Sequence, residues 1–198
     1  MKLKSARQAW HDSLYMPWDS VLSVAAEWAL LGASVQKTER DSRNRVAMHQ
    51  ALAGQIQRAI ATLPSHLQAF GHWLYSPFQL DDHREIAEEL VFALAVAESK
   101  RMTSSTYERA RHVAAGVLHR YRRQHQGGQS EGVDPLPTPE SFRRWLADQY
   151  GLELRSESWA RDWEAFVELC FCACDKLDRA ALAPVAVTVR LMCEREAA

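Results

Sequence analysis

Along most of the 198-residue chain, apolar residues return every three or four positions, and alternation with a period of two is scarce. That pattern predicts an all-α protein. Pro17 can open a first helix striped by Trp18, Val21, Leu22, Ala25, Trp28 and Ala29, with Gly32 as its cap. Thr38 and Asp41 have the form of a capping box for a second helix, which buries Val46, Ala53, Ile56, Ile60 and Leu63 and stops before Pro64. A shorter helix runs from about Ser65 to Tyr75 and ends at Pro77. Asp81 and Asp82 suit the positive end of a helix whose stripe is Ile86, Leu90, Leu94 and Ala97. Ser104 or Ser105 caps the next helix, which carries Tyr107, Ala110, Ala114, Leu118 and Tyr121.

The periodicity then breaks. The stretch from Gln126 to Pro139 is rich in glycine and proline and lacks any repeat, so it reads as a linker. The expected organisation is a helical body over 1–126, a linker over 127–139 and a compact helical module over 140–198.

In that module Thr138, Pro139 and Glu140 read as an N-cap, a proline at the first helical position and an acid in the first turn. The helix presents Phe142, Trp145, Leu146 and Tyr150 and ends at Gly151. After a connector of Leu152 to Arg155, Ser156 or Ser158 begins a second helix. Its stripe of Trp159, Trp163, Phe166, Val167, Cys170, Phe171, Cys174 and Leu177 holds for about five turns. Two helices joined by a glycine-bearing turn have the layout of a helix–turn–helix, and equally that of a plain helical hairpin. In the first case the second helix would enter a major groove by its N-terminal end. Arg155, Ser156, Glu157, Ser158 and Arg161 would then face DNA, with Arg143 and Arg144 on the preceding helix. Arginine can bond a guanine edge at two points, and serine hydroxyls suit phosphates.

A second cluster lies upstream. Between Lys100 and His125 there are seven lysines and arginines against a single acid, Glu108. On a helical wheel Arg109, His112, His119, Arg120 and Arg123 share one side with Gly116. A glycine inside a helix costs about 1 kcal/mol against alanine, so Gly116 calls for a close approach. The face reads either as a surface for phosphates or an acidic partner, or as a solvated basic face.

Composition narrows the functional classes. The chain is 47% hydrophobic, enough for a real core, and its formal net charge of −1 favours no partner by itself. No run of about twenty apolar residues predicts a membrane span, and the first residues lack the apolar stretch of a secretory leader, so a cytoplasmic location is expected. Cys170, Cys172, Cys174 and Cys193 form no C-x-x-C pair. No phosphate-binding glycine loop, H-E-x-x-H or nucleophile elbow occurs. The expectation is a protein with no catalytic role, no metal, no cofactor and no small-molecule substrate.

The segment Ser158-Trp159-Ala160-Arg161-Asp162-Trp163, continued through Cys170 to the acidic and basic residues ending near Arg179, resembles the C-terminal region of the lambda-type phage late-gene antiterminator Q family. The upstream helix, Phe142 to Tyr150, stands where that family has the first helix of its DNA-binding motif. The resemblance covers about forty residues and suggests a bacterial relative of the family. It departs from the pattern where those proteins carry a zinc finger with paired C-x-x-C motifs, because here the linker holds that place. What the resemblance implies is a transcription antiterminator. Such a protein binds double-stranded DNA near a promoter, joins RNA polymerase paused with its sigma factor, and lets it read through terminators. A conventional helix–turn–helix repressor or activator, or a helical interaction protein that binds no DNA, are the other readings.

Overall fold

The computed structural model describes residues 5–14, 39–125 and 132–197. Among them there are eight helices and no strand: α1 (Ala6–Ser13), α2 (Glu39–Ala61), α3 (Ser65–Tyr75), α4 (Asp81–Glu98), α5 (Ser104–Gln124), α6 (Pro139–Tyr150), α7 (Trp159–Asp162) and α8 (Glu164–Ala197). The all-α expectation holds for these residues. The helix expected from Pro17 to Gly32 and the cap at Thr38 lie outside them.

Most helix ends follow from local chemistry. Pro64 precedes α3, and the acids Asp81 and Asp82 occupy the first turn of α4. The cap of α5 is Thr103, whose hydroxyl accepts from the Thr106 N–H, one residue before the expected serines. Thr138 caps α6 in a reciprocal box with Ser141, and Gly151 closes it with φ +63°. At that left-handed position the Gly151 N–H reaches the Ala147 carbonyl, and the Leu152 N–H reaches that of Leu146.

Two expected stripes are corrected. In α4 the buried face is Ala87, Val91, Phe92 and Ala95, whereas Ile86 and Leu94 are exposed. From Leu90 to Ala97 every residue is apolar, so the sequence offers several stripes of the right period. Packing against three neighbouring helices selects the one with two alanines, which permits close approach. The second correction concerns the long helix of the C-terminal region. It does not begin at Ser156 or Ser158 as one continuous rod. A single turn, α7, is set off at Trp163 (φ −126°, ψ −30°) before α8 begins. The break lets Trp159 meet the Phe142 ring edge-on at 5.8 Å while Trp163 and Phe166 remain in the core.

Helix α8 organises the molecule. Its 34 residues extend about 51 Å at the usual rise. It packs against α1, α2, α3, α4, α5 and α7. One continuous cluster of buried side chains runs from Trp10 through Phe70, Phe92, Leu118 and Phe142 to Cys174 and Val185. Buried residues on both sides of the expected linker thus share one core.

At the centre of that core sits a carboxylate. Asp178, 2% exposed, accepts from Arg7 Nε and Nη2 at 3.2 and 2.6 Å, from the Tyr121 hydroxyl at 3.1 Å and from the Tyr75 hydroxyl. Four helices (α1, α3, α5 and α8) therefore converge on one side chain. A buried charge needs such pairing, since it loses its hydration on burial. Burial and the nearby Asp178 charge push the Tyr75 and Tyr121 phenols far above their ordinary value, so they stay protonated as donors.

The second half of the expected linker is fastened down. The Gly132 N–H donates to the Gln124 carbonyl, Asp134 accepts from Arg120, and Leu136 is buried. No described helix is long and apolar enough to cross a membrane.

Candidate nucleic-acid interface

A cleft of about 1270 Å³ opens between the α4–α5 turn and the α6–α7 connector. One wall is the turn from Ser99 to Thr103 with Thr106 and Arg109 on α5. The facing wall is Glu153, Leu154, Arg155 and Ser158, then Arg161 and Asp162 on α7. Trp163 and Phe166 form an apolar floor. The buried Leu154 and Trp159 side chains anchor the connector, which leaves Arg155 on its outer side.

Five basic side chains meet at this cleft: Lys100, Arg101, Arg109, Arg155 and Arg161. The acids are Glu98, Glu153, Asp162 and Glu168. Two are already engaged. Glu98 accepts from Lys176, outside the cleft. Asp162 takes a two-point contact from Arg161, Nε to Oδ1 at 2.6 Å and Nη2 to Oδ2 at 2.9 Å. That hydrogen bonding holds the Asp162 carboxyl below its ordinary range and raises the Arg161 guanidinium. Among the described residues Lys100, Arg101 and Arg109 make no ion pair, Arg155 lies near Glu157, and Glu153 and Glu168 share the cleft with them.

The residues expected to read DNA are thus placed differently from a helix start. Arg155, Ser156 and Glu157 are exposed on the connector and not on a helix. Ser158 and Arg161 line the cleft. Arg143 donates to the Pro139 carbonyl, and Arg144 pairs with Glu140 at 3.0 Å, both on α6 and outside the cleft.

The basic face expected on α5 divides into three. Arg109 faces the cleft. The middle of the face is the seat of α6: His112 stacks on Tyr150 and His119 on Trp145, with ring centroids 4.6 and 4.8 Å apart. Arg120 forms a two-point pair with Asp134 and lies over the Phe142 and Phe171 rings. These three side chains hold the fold and are not an open surface. Burial pushes His119 below its ordinary value, and the charges of Arg123 and Arg122 act in the same direction. Arg123 is exposed beside a separate pocket.

Lys100 and Arg101 belong to the basic window but fall on a turn, where a helical wheel assigns no side. Cys170 and Cys174 are buried, and Cys193 is exposed. Cys193 lies 19 residues beyond Cys174 on the same helix, about 28 Å along it, so the two cannot share an ion within one chain.

No family model, no curated protein and no solved structure matches the chain.

Proposed function

We propose that this protein is a DNA-binding transcription antiterminator that contacts nucleic acid through the cleft between the α4–α5 turn and the α6–α7 connector. The observation that carries the reading is the meeting there of Lys100, Arg101 and Arg109 with Arg155 and Arg161, from segments about fifty residues apart in sequence. Folding brings five basic side chains together with four acidic ones there, a small positive excess on a molecule whose net charge is −1. A phosphate backbone is the partner for which such a cluster matters most, because neutralised phosphates release their counterions. Loading on a promoter-proximal paused polymerase, together with its sigma factor, is what the resemblance of the Ser158–Arg179 segment adds.

In this reading Lys100, Arg101, Arg109 and Arg155 hold phosphates and set register. Arg161 reads a base edge after exchanging Asp162 for it. Ser156 and Ser158 add hydroxyl contacts. The Arg161–Asp162 pair and the acids Glu153 and Glu168 favour a second reading, a helical protein-interaction surface that binds no DNA.

A gel shift with promoter DNA separates the two. Transcription with purified polymerase through a terminator then distinguishes an antiterminator from a repressor or activator. Readthrough that falls when Arg109 and Arg155 are both made glutamate supports the proposal. DNA binding without readthrough points to a conventional regulator, and absence of DNA binding to the interaction protein.

A further inference from the structure

On the opposite flank of α5 from the cleft, a smaller pocket of about 440 Å³ is enclosed by the end of α3, by α4, by α5 and by α6. Among its basic residues, Arg84, His119, Arg122 and Arg123, the buried one is Arg122, 8% exposed. The Arg122 Nε donates to the Trp73 carbonyl at 2.7 Å, and the guanidinium lies 4.4 Å from the Trp73 ring centroid. Among the described residues no carboxylate pairs with Arg122, and the side-chain hydrogen bond it makes is the one from Nε to the Trp73 carbonyl. Burial and the neighbouring Arg123 charge push Arg122 below its ordinary value.

Such a group is unusual, because a buried charge normally has its counter-charge beside it. The pocket supplies one acid, Glu88, and Arg84 lies against it with Nε 3.8 Å from Oε1. Trp73 and Arg84 also line the pocket, with Trp73 Nε1 and Arg84 Nε sealed behind its surface. The rim carries the Gln79 and Gln149 amides, and the walls are the rings of Trp73, Trp145 and Tyr150. Donors and cations thus surround a space with aromatic sides.

We propose that this pocket binds a small organic phosphate, with the phosphoryl group on the Arg122 guanidinium and a planar moiety against the aromatic wall. A guanidinium fork suits two oxygens of an oxyanion. Arg123 borders the same pocket, and this second guanidinium favours a doubly charged phosphate ester over a single carboxylate. The volume exceeds what a bare phosphate fills and lies in the range of small-molecule sites. Occupancy would fasten α6 to α3 and α5, since Trp145, Gln149 and Tyr150 belong to α6. The connector leading into the cleft follows directly from α6.

The test is thermal unfolding of the full chain at constant ionic strength, titrated with inorganic phosphate, adenosine monophosphate and benzoate. The expected result is a saturable rise in melting temperature with both phosphate probes, tighter for the nucleotide. Arg122→Gln should abolish it. Arg123→Glu, at an exposed position, should weaken it at least tenfold and decides the matter if Arg122→Gln does not fold. Arg155→Glu, in the cleft, should leave it unchanged, which separates this site from DNA binding. The proposal is overturned if no probe saturates, if benzoate alone does, or if Arg123→Glu binds as the parent does.

Discussion

The Phe142 ring fills the space that a side chain at residue 116 would occupy: a Cβ built on Gly116 would lie 2.9 Å from Phe142 Cε2 and Cζ and 3.2 Å from Trp145 Cζ3. This contact is where α6 meets α5. Alanine at residue 116 gains about 1 kcal/mol in helix propensity but overpacks a site whose ring is fully buried, at a cost of about 1–3 kcal/mol. We expect Gly116→Ala to lower stability by about 1 kcal/mol and Gly116→Val by more, read by urea denaturation. A stabilised alanine variant would mean that α6 does not sit there.

Asp178 carries the second prediction. Asp178→Ala leaves the Arg7 guanidinium and the Tyr75 phenol without their acceptor in the core, while Tyr121 keeps Asp175 at 3.0 Å. Removing one partner of a buried charged pair costs about 3–5 kcal/mol. The chemical denaturation midpoint should fall accordingly, and a loss under about 1 kcal/mol would show the network to be dispensable.

The Arg120–Asp134 pair predicts a pH effect. Burial alone would raise the Asp134 carboxyl, but hydrogen bonds from Arg120 and the Leu136 amide, with the Arg120 charge, outweigh it and hold it below its ordinary value. A carboxyl depressed in the folded state contributes stability that is full above the unfolded value of about 3.9 and is lost as pH falls through the folded value. Asp134→Asn should therefore lose about 1–3 kcal/mol at neutral pH, with a smaller deficit at acid pH. Equal deficits at pH 7 and pH 3 would contradict the pairing.

In the cleft, Arg109→Glu with Arg155→Glu should lower DNA affinity at least about tenfold and flatten the log affinity against log salt by about 2, one phosphate contact for each residue. Asp162→Asn should act the other way. It releases Arg161 from its two-point contact and should tighten binding, most at low salt. Titrations at two salt concentrations measure both, and unchanged binding in all variants would remove the cleft from consideration.

How far the chain could be read in advance varied with the kind of interaction. Helix α3, the capped α6, the turn at Gly151 and the Trp159–Leu177 stripe were legible, because caps, positive φ and apolar periodicity act within a few residues. The tight approach at Gly116 was legible too, since a helical glycine is costly without a reason. Tertiary structure alone decided which stripe of α4 faces inward, because a run of apolar residues offers several. It decided that His119 and Arg120 serve α6 while Arg109 reaches a cleft, because a wheel shows one helix without its neighbours. It placed Asp178 at the meeting point of four helices and left Arg122 without a counter-charge among the described residues. Those outcomes depend on partners 14 to 171 residues away, beyond the few residues over which local patterns act.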